Sequence, residues 1–145
     1  QQQRRKAAEL TLNDALEMLK SSLSIAILDG SHITRLKRRA LCDQVAQSNL
    51  HCQVIFIESV CNDEDLLQSL MKDTYIRSPD YAHLSEEQAV ADMTLKIQHF
   101  EREYEPMDPS EGLQYLKLIN LGRQIVANEF HGYIPGTAAY RRSGF

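Results

Sequence analysis

The stretch from Ser24 to Arg39 constrains this chain more than any other. It opens with the apolar run Ile25-Ala26-Ile27-Leu28 and stops at Asp29-Gly30. Such a run is too short for a buried helix and reads as a buried, parallel strand. A carboxylate at the tip of that strand stands where open α/β sheets place their ligands. A helix is expected to begin near Thr34, with Arg35, Lys37, Arg38 and Arg39 in its first turns. Cations at a helix N-terminus oppose the macrodipole. An anionic partner relieves that conflict, and phosphate is the usual one. A solvated basic helix face is the alternative.

The rest of the chain alternates in the same manner. Residues 6–23 carry Ala8, Leu12, Ala15, Leu16, Leu19 and Leu23 at helical spacing. After the helix expected over 34–48, Val54-Ile55-Phe56-Ile57 reads as a second buried strand, closed by Glu58-Ser59. A helix between two buried strands is a βαβ unit. Asn62 is a plausible N-cap for the next helix, with Asp63, Glu64 and Asp65 suiting its positive end. Pro79 ends that segment. Ser85-Glu86-Glu87-Gln88 fits a capping box, and Val90, Met93, Ile97, Phe100 and Tyr104 follow at i+3/i+4 spacing. Strands are expected at 115–119 and 125–127, and a short helix at 137–142. The expected fold is α/β, with a mainly parallel sheet of three or four strands in a single domain.

Length and charge narrow the function. The chain has 145 residues, and its net charge of -4 argues against general nucleic-acid binding, so the basic cluster is local. No apolar run approaches the roughly 20 residues that a membrane span needs, so no membrane partner is expected. Gln1-Gln-Gln-Arg-Arg-Lys6 does not read as a signal peptide. Three cysteines without C-x-x-C fit reduced thiols and a cytoplasmic location. His51 beside Cys52 lacks a second ligand pair at zinc spacing. Neither G-x-x-x-x-G-K-[ST] nor G-x-G-x-x-G occurs, so the chain reads as starting after such a loop.

Five motifs stand in order: Ala26-Ile-Leu-Asp-Gly-Ser-His-Ile-Thr-Arg35, Phe56-Ile-Glu-Ser-Val-Cys-Asn-Asp63, Ser78-Pro-Asp-Tyr81, Tyr115-Leu-Lys-Leu-Ile-Asn-Leu-Gly122 and Gly132-Tyr-Ile-Pro-Gly136. Together they resemble the later part of the kinase domain of 6-phosphofructo-2-kinase/fructose-2,6-bisphosphatase, from about Ala7 to Tyr140. The resemblance implies a partial P-loop-type three-layer fold with the phosphate-loop strand missing. It implies an activity that makes fructose 2,6-bisphosphate from fructose 6-phosphate and ATP with magnesium, and it leaves a homodimer open. Asp29 matches the family's essential aspartate, able to hold Mg2+ or to polarise the attacking hydroxyl. Ser31 and Lys37 match a threonine and an arginine that contact the sugar phosphate. Lysine keeps the charge but loses the bidentate fork. Cys61 matches a cysteine at the end of the second strand. As a free cysteine it also reads as a small buried apolar residue.

Other positions depart from the pattern. Tyr75 stands where the family has a lysine that reaches the ATP phosphates, and Lys72, about one turn earlier, is its candidate substitute. Lys96 and Phe100 replace an arginine and a tyrosine of the sugar-phosphate site. They are four apart and share a helix face, although Phe100 by itself reads as core. The phosphate loop, two upstream arginines and the Arg-His-Gly motif of the bisphosphatase half do not occur in this sequence, so these 145 residues alone are expected to be inactive. Two further readings stay open: a non-catalytic sugar-phosphate-binding or regulatory relative, and another small P-loop kinase.

Overall fold

The computed structural model describes residues 2–21 and 23–129, the side chains of residues 2–5 excepted. The helix expected at 137–142 and the motif Gly132–Gly136 lie outside the described residues. The chain divides into two compact units: one runs to Val54 and takes in Tyr104–Pro106, and the other comprises Ile55–Glu103 and the chain from Met107.

The first unit is helical. Its helices are α1 (Gln2–Ser21) and α2 (Arg35–Gln47). Leu12 and Leu16, one turn apart on α1, bury against Val45 of α2, and Leu28, Leu41, Leu50, Cys52 and Val54 close the cluster. Thr34 caps α2, its hydroxyl accepting from the Lys37 amide at 3.3 Å. The strand expected at Ile25–Leu28 does not form. This segment is irregular, with Ile25 72% and Ile27 91% exposed. Only Leu28 reaches the core. Strand chemistry needs a ladder to become a strand, and no described residue bonds to this run as one.

The second unit holds the sheet. Its elements are β1 (Ile55–Val60), α3 (Glu64–Arg77), α4 (Glu86–Glu103), β2 (Gln114–Ile119) and β3 (Gln124–Asn128), with short 3-10 turns at Pro79–Tyr81 and Pro109–Glu111. The βαβ crossover therefore runs from β1 through α3 and α4 to β2. The sheet has three strands in the order β1-β2-β3. The first pair is parallel, with Phe56 opposite Tyr115 and Glu58 opposite Lys117. The second is an antiparallel hairpin with Ile119 opposite Gln124. The sheet is thus mixed rather than mainly parallel, because the turn at 120–123 sends β3 straight back along β2. Asn120, Leu121 and Gly122 all take positive φ in that turn.

Glu58 and Ser59 do not close β1, which continues to Val60. The N-cap of α3 is Asp63 rather than Asn62: its Oδ1 accepts from the Leu66 amide at 3.0 Å. The Ser85–Gln88 capping box forms as expected. Ser85 Oγ accepts from the Gln88 amide at 3.2 Å, and Gln88 Oε1 accepts from the Ser85 amide at 3.1 Å. Met71, Tyr81, Ala89 and Met93 make a core between α3 and α4, where Ala89 is 0% exposed. The α4 stripe leaves that core toward its end. Phe100 is 48% exposed, and its ring meets His99 edge-on with centroids 6.0 Å apart.

Met93→Ala removes a buried side chain and should cost about 2–4 kcal/mol in urea unfolding. Leu95→Ala, on the exposed face of the same helix, should stay within about 0.5 kcal/mol. Equal costs would show that α4 buries a different face.

Candidate functional site

In the first unit the candidate residues lie on the loop before α2 and in its first turn. Asp29, Ser31 and Lys37 are exposed. Asp29 sits on irregular backbone rather than at a strand tip. The loop is held from beneath by Arg38, 2% exposed, whose Nη1 donates to the His32 carbonyl at 3.1 Å. The His32 amide donates to the Gly30 carbonyl at 3.0 Å. The His32 ring lies close over Gly30: a Cβ there would stand 2.9 Å from His32 Cε1, so a larger residue would make the ring shift. Burial pushes the His32 pKa down. A hydrogen bond with Gly30 opposes that shift, and the charges of Lys37 and Arg38 add to it.

The basic N-terminus of α2 already has an anion. The Glu105 carboxylate accepts from the Arg35 amide, and the Glu105 amide donates to the Ile33 carbonyl at 2.8 Å. A carboxylate at that position offsets the macrodipole. The relief that the sequence assigns to an outside phosphate is thus supplied by the chain itself. Arg39 is paired with Asp43 at 3.4 Å.

In the second unit, two groups of candidates stand apart along the elements. Cys61 follows β1, half-buried, its thiol donating to the Asp63 carbonyl at 3.6 Å. Around it the β1–α3 loop is tied to the hairpin. The Asn62 amide donates to Asn120 Oδ1 at 3.0 Å, and Asn120 Nδ2 donates to Asn62 Oδ1 at 2.7 Å. Arg123 pairs with Asp63 at 2.8 Å. The Leu66 amide, and after it Arg123, hold the Asp63 carboxyl below the usual carboxylate range.

The second group lies on α3 and α4. Lys72 pairs with Glu86 at 3.6 Å in solvent. The Tyr75 ring packs on the α3–α4 core, and its hydroxyl donates to the Leu84 carbonyl at 3.3 Å. Lys96 Nζ lies 2.7 Å from Asp92 and donates to the Tyr81 hydroxyl at 3.0 Å. Asp92, then Tyr81, hold the Lys96 ammonium well above the ordinary lysine value. Phe100 is exposed one turn further on the same helix.

Several residues that shape these surroundings were not singled out from the sequence for the part they play. Glu58 is buried in β1, 3.0 Å from Lys117 in β2, and it also accepts from the Met107 amide at 2.9 Å. A sequence signal for the pair exists: each is a lone charge inside an apolar strand, and the two are opposite in sign. Glu105, Asp92 and Arg38 gave no such signal, because each acts on a partner chosen by tertiary contact or by helical turn. A shallow groove of about 430 Å³ between α1 and α2, floored by Leu12 and Leu16, includes none of the candidate residues. Among the described residues there is no group of three or more His, Cys, Asp or Glu side chains able to hold a metal. No helix among them is long and apolar enough to cross a membrane.

A β–α–α–β crossover with cationic side chains on its helices is an α/β arrangement broadly consistent with part of a P-loop-type kinase. A family model described as 6-phosphofructo-2-kinase matches residues 1–141. The chain is 34% identical over 140 residues to the 6-phosphofructo-2-kinase/fructose-2,6-bisphosphatase of Gallus gallus, covering 94% of this chain and 29% of that protein. It is 33% identical over 141 residues to the protein of the same name from Caenorhabditis elegans, covering 94% and 30%. To the fructose-2,6-bisphosphatase of Saccharomyces cerevisiae it is 33% identical over 137 residues, covering 92% and 30%. The chain belongs to the 6-phosphofructo-2-kinase family and spans less than one third of the length of these relatives.

Two outcomes follow from the site's electrostatics. Because the His32 pKa is lowered by folding, the unfolded chain takes up that proton first as pH falls. Stability should therefore be full above the ordinary value of 6.5 and decline below it, and His32→Gln should flatten the decline in denaturant titrations across that range. Glu58→Ala strands the Lys117 charge and should cost about 3 kcal/mol. The pair of changes Glu58→Leu and Lys117→Met should cost much less, and equal losses would show that burial, not pairing, decides.

Proposed function

We propose that this chain is a partial 6-phosphofructo-2-kinase domain, spanning residues 1–145, that supplies the sugar-phosphate side of the reaction making fructose 2,6-bisphosphate from fructose 6-phosphate and ATP. The observation that carries the reading is the family match, which extends over residues 1–141. Ser31 offers a hydroxyl on the loop before α2 and Lys37 an ammonium in the first turn of that helix, both exposed, as a phosphate ligand requires. Lys96 and Phe100 offer a second cation and an aromatic face on α4. Asp29 is the carboxylate that would polarise the attacking sugar hydroxyl in the complete domain. Cys61 lies at the C-terminal end of β1, where α/β folds place reacting groups.

Magnesium and ATP belong to the same reading. Magnesium is commonly held by one or two carboxylates together with phosphates and water. Asp29, exposed, fits the part of a single carboxylate ligand. When bound, ATP supplies the phosphoryl group and magnesium neutralises its developing charge. Lys72 is exposed and suits a phosphate contact, in competition with Glu86. Tyr75 does not suit one, since its hydroxyl is neutral and already donates to the Leu84 carbonyl. The phosphate-loop motif does not occur in these 145 residues, so in this reading they bind the sugar phosphate without turning it over. Tyr75, in place of the family's lysine, is also the observation that favours a second reading: a relative that binds sugar phosphate in a regulatory role.

A fructose 6-phosphate titration of the chain tests the proposal. Lys37→Ala should weaken binding by about tenfold, the scale of a lost hydrogen bond to a charged group. Asp29→Ala should leave binding intact or tighten it by removing a negative charge. Stabilisation by nucleosides rather than by fructose 6-phosphate in a thermal shift would point instead to another small P-loop kinase. Formation of fructose 2,6-bisphosphate by the purified 145 residues would refute their inactivity.

A further inference from the structure

Lys96 stands on the exposed side of α4 and is already held. Its Nζ lies 2.7 Å from Asp92 Oδ2 and donates to the Tyr81 hydroxyl at 3.0 Å. The same hydroxyl donates to Asp92 Oδ2 at 3.1 Å. One carboxylate oxygen therefore receives both groups. Lys96 Nζ also lies 5.2 Å from the centre of the Tyr81 ring. Tyr81 is buried with Met71, Ala89 and Met93, so core packing fixes where its hydroxyl stands. An ordinary Asp–Lys pair at i,i+4 in solvent is loose and contributes little. This one is aimed by an anchored tyrosine.

We infer that Asp92 is a built-in counter-ion that masks Lys96 against phosphate anions, with Tyr81 as its positioning residue. The inference deepens the sugar-phosphate reading of Lys96 and rests on it. Asp92 Oδ2 occupies the place beside the ammonium that a phosphate oxygen would take. A phosphate arriving at Lys96 meets a cation and a carboxylate together, with no net charge to attract it. Asp92 thus lowers anion affinity without touching the ligand. The low carboxyl pKa of Asp92, set first by Lys96 and then by Tyr81, keeps it ionised and in place. The sign of the effect separates this role from a structural one. Neutralising Asp92 should strengthen phosphate binding, whereas loss of a structural prop would weaken it.

Competitive acetylation of the chain with trace acetic anhydride tests the mask. Each lysine is read by peptide mass spectrometry, with and without inorganic phosphate, and Lys72 and Lys117 serve as references. Asp92→Asn should raise Lys96 acetylation relative to them by about threefold, the scale of an exposed ion pair. Phosphate should then protect Lys96 in Asp92→Asn and not in the unaltered chain. Tyr81→Phe, which keeps the ring, should raise Lys96 acetylation by a smaller factor; no rise there removes Tyr81 from the positioning role. Unchanged Lys96 acetylation in Asp92→Asn, or equal phosphate protection in both forms, overturns the proposal. A parallel fructose 6-phosphate titration keeps the two claims apart. Tighter binding by Asp92→Asn supports both. Binding by neither form ends the sugar-phosphate reading, and the acetylation result still decides the mask.

Discussion

The parallel pairing of β1 with β2 is the contact on which the second unit depends. It sets Glu58 against Lys117, so that the buried carboxylate has a half-buried ammonium beside it. It also aligns the ends of the two strands. The Val60 carbonyl accepts from the Asn120 amide at 2.8 Å, and this contact places the β1–α3 loop beside the hairpin turn. From there Asn120 grips Asn62, Arg123 grips Asp63, and Asp63 caps α3. Cys61 and the start of α3 are therefore positioned by a hairpin about 60 residues further along the chain, the separation from Asp63 to Arg123. A one-residue slip in the pairing would break the Glu58–Lys117 match and this chain of contacts together.

Internal carboxylates recur at the cationic positions. Glu105 serves the N-terminus of α2, Asp92 serves Lys96, and Glu86 serves Lys72. Lysine is a compact point charge on a flexible stem, and it exchanges partners more readily than an arginine held in a bidentate fork. Under the proposed function, an anion reaching Lys96 or Lys72 would compete with the carboxylate already beside it.

Much of the secondary structure was legible because it is local. The leucine spacing of α1, the Ser85 box and Met93 stripe of α4, and the apolar centres of β1 and β2 each lie within one short window, and periodicity needs no partner to be read. The errors fall where a partner decides. Ile25–Leu28 has strand composition, but a strand exists only in a ladder. Glu58 looked like the end of β1 because a charge in a buried strand is unexpected until Lys117 is opposite it. Phe100 continued the α4 stripe on paper, yet the surface it faces is open. In the first unit, Asp29 and Ser31 were readable within a motif and Lys37 as part of a basic cluster. The contacts that Arg38 and Glu105 make with this segment were not.

By itself the sequence determined the family, the alternation of helices and strands, and which residue types could meet a phosphate, because motif order and hydrophobic period are properties of the string. Tertiary structure alone decided that the sheet is mixed, that Glu58 is paired rather than exposed, and that Lys96 already has a carboxylate and a hydroxyl beside it. The physical reason is the same for each. The energy of a charge or of a strand edge depends on what stands within a few ångströms of it, and that neighbour is chosen by the fold, not by the adjacent letters.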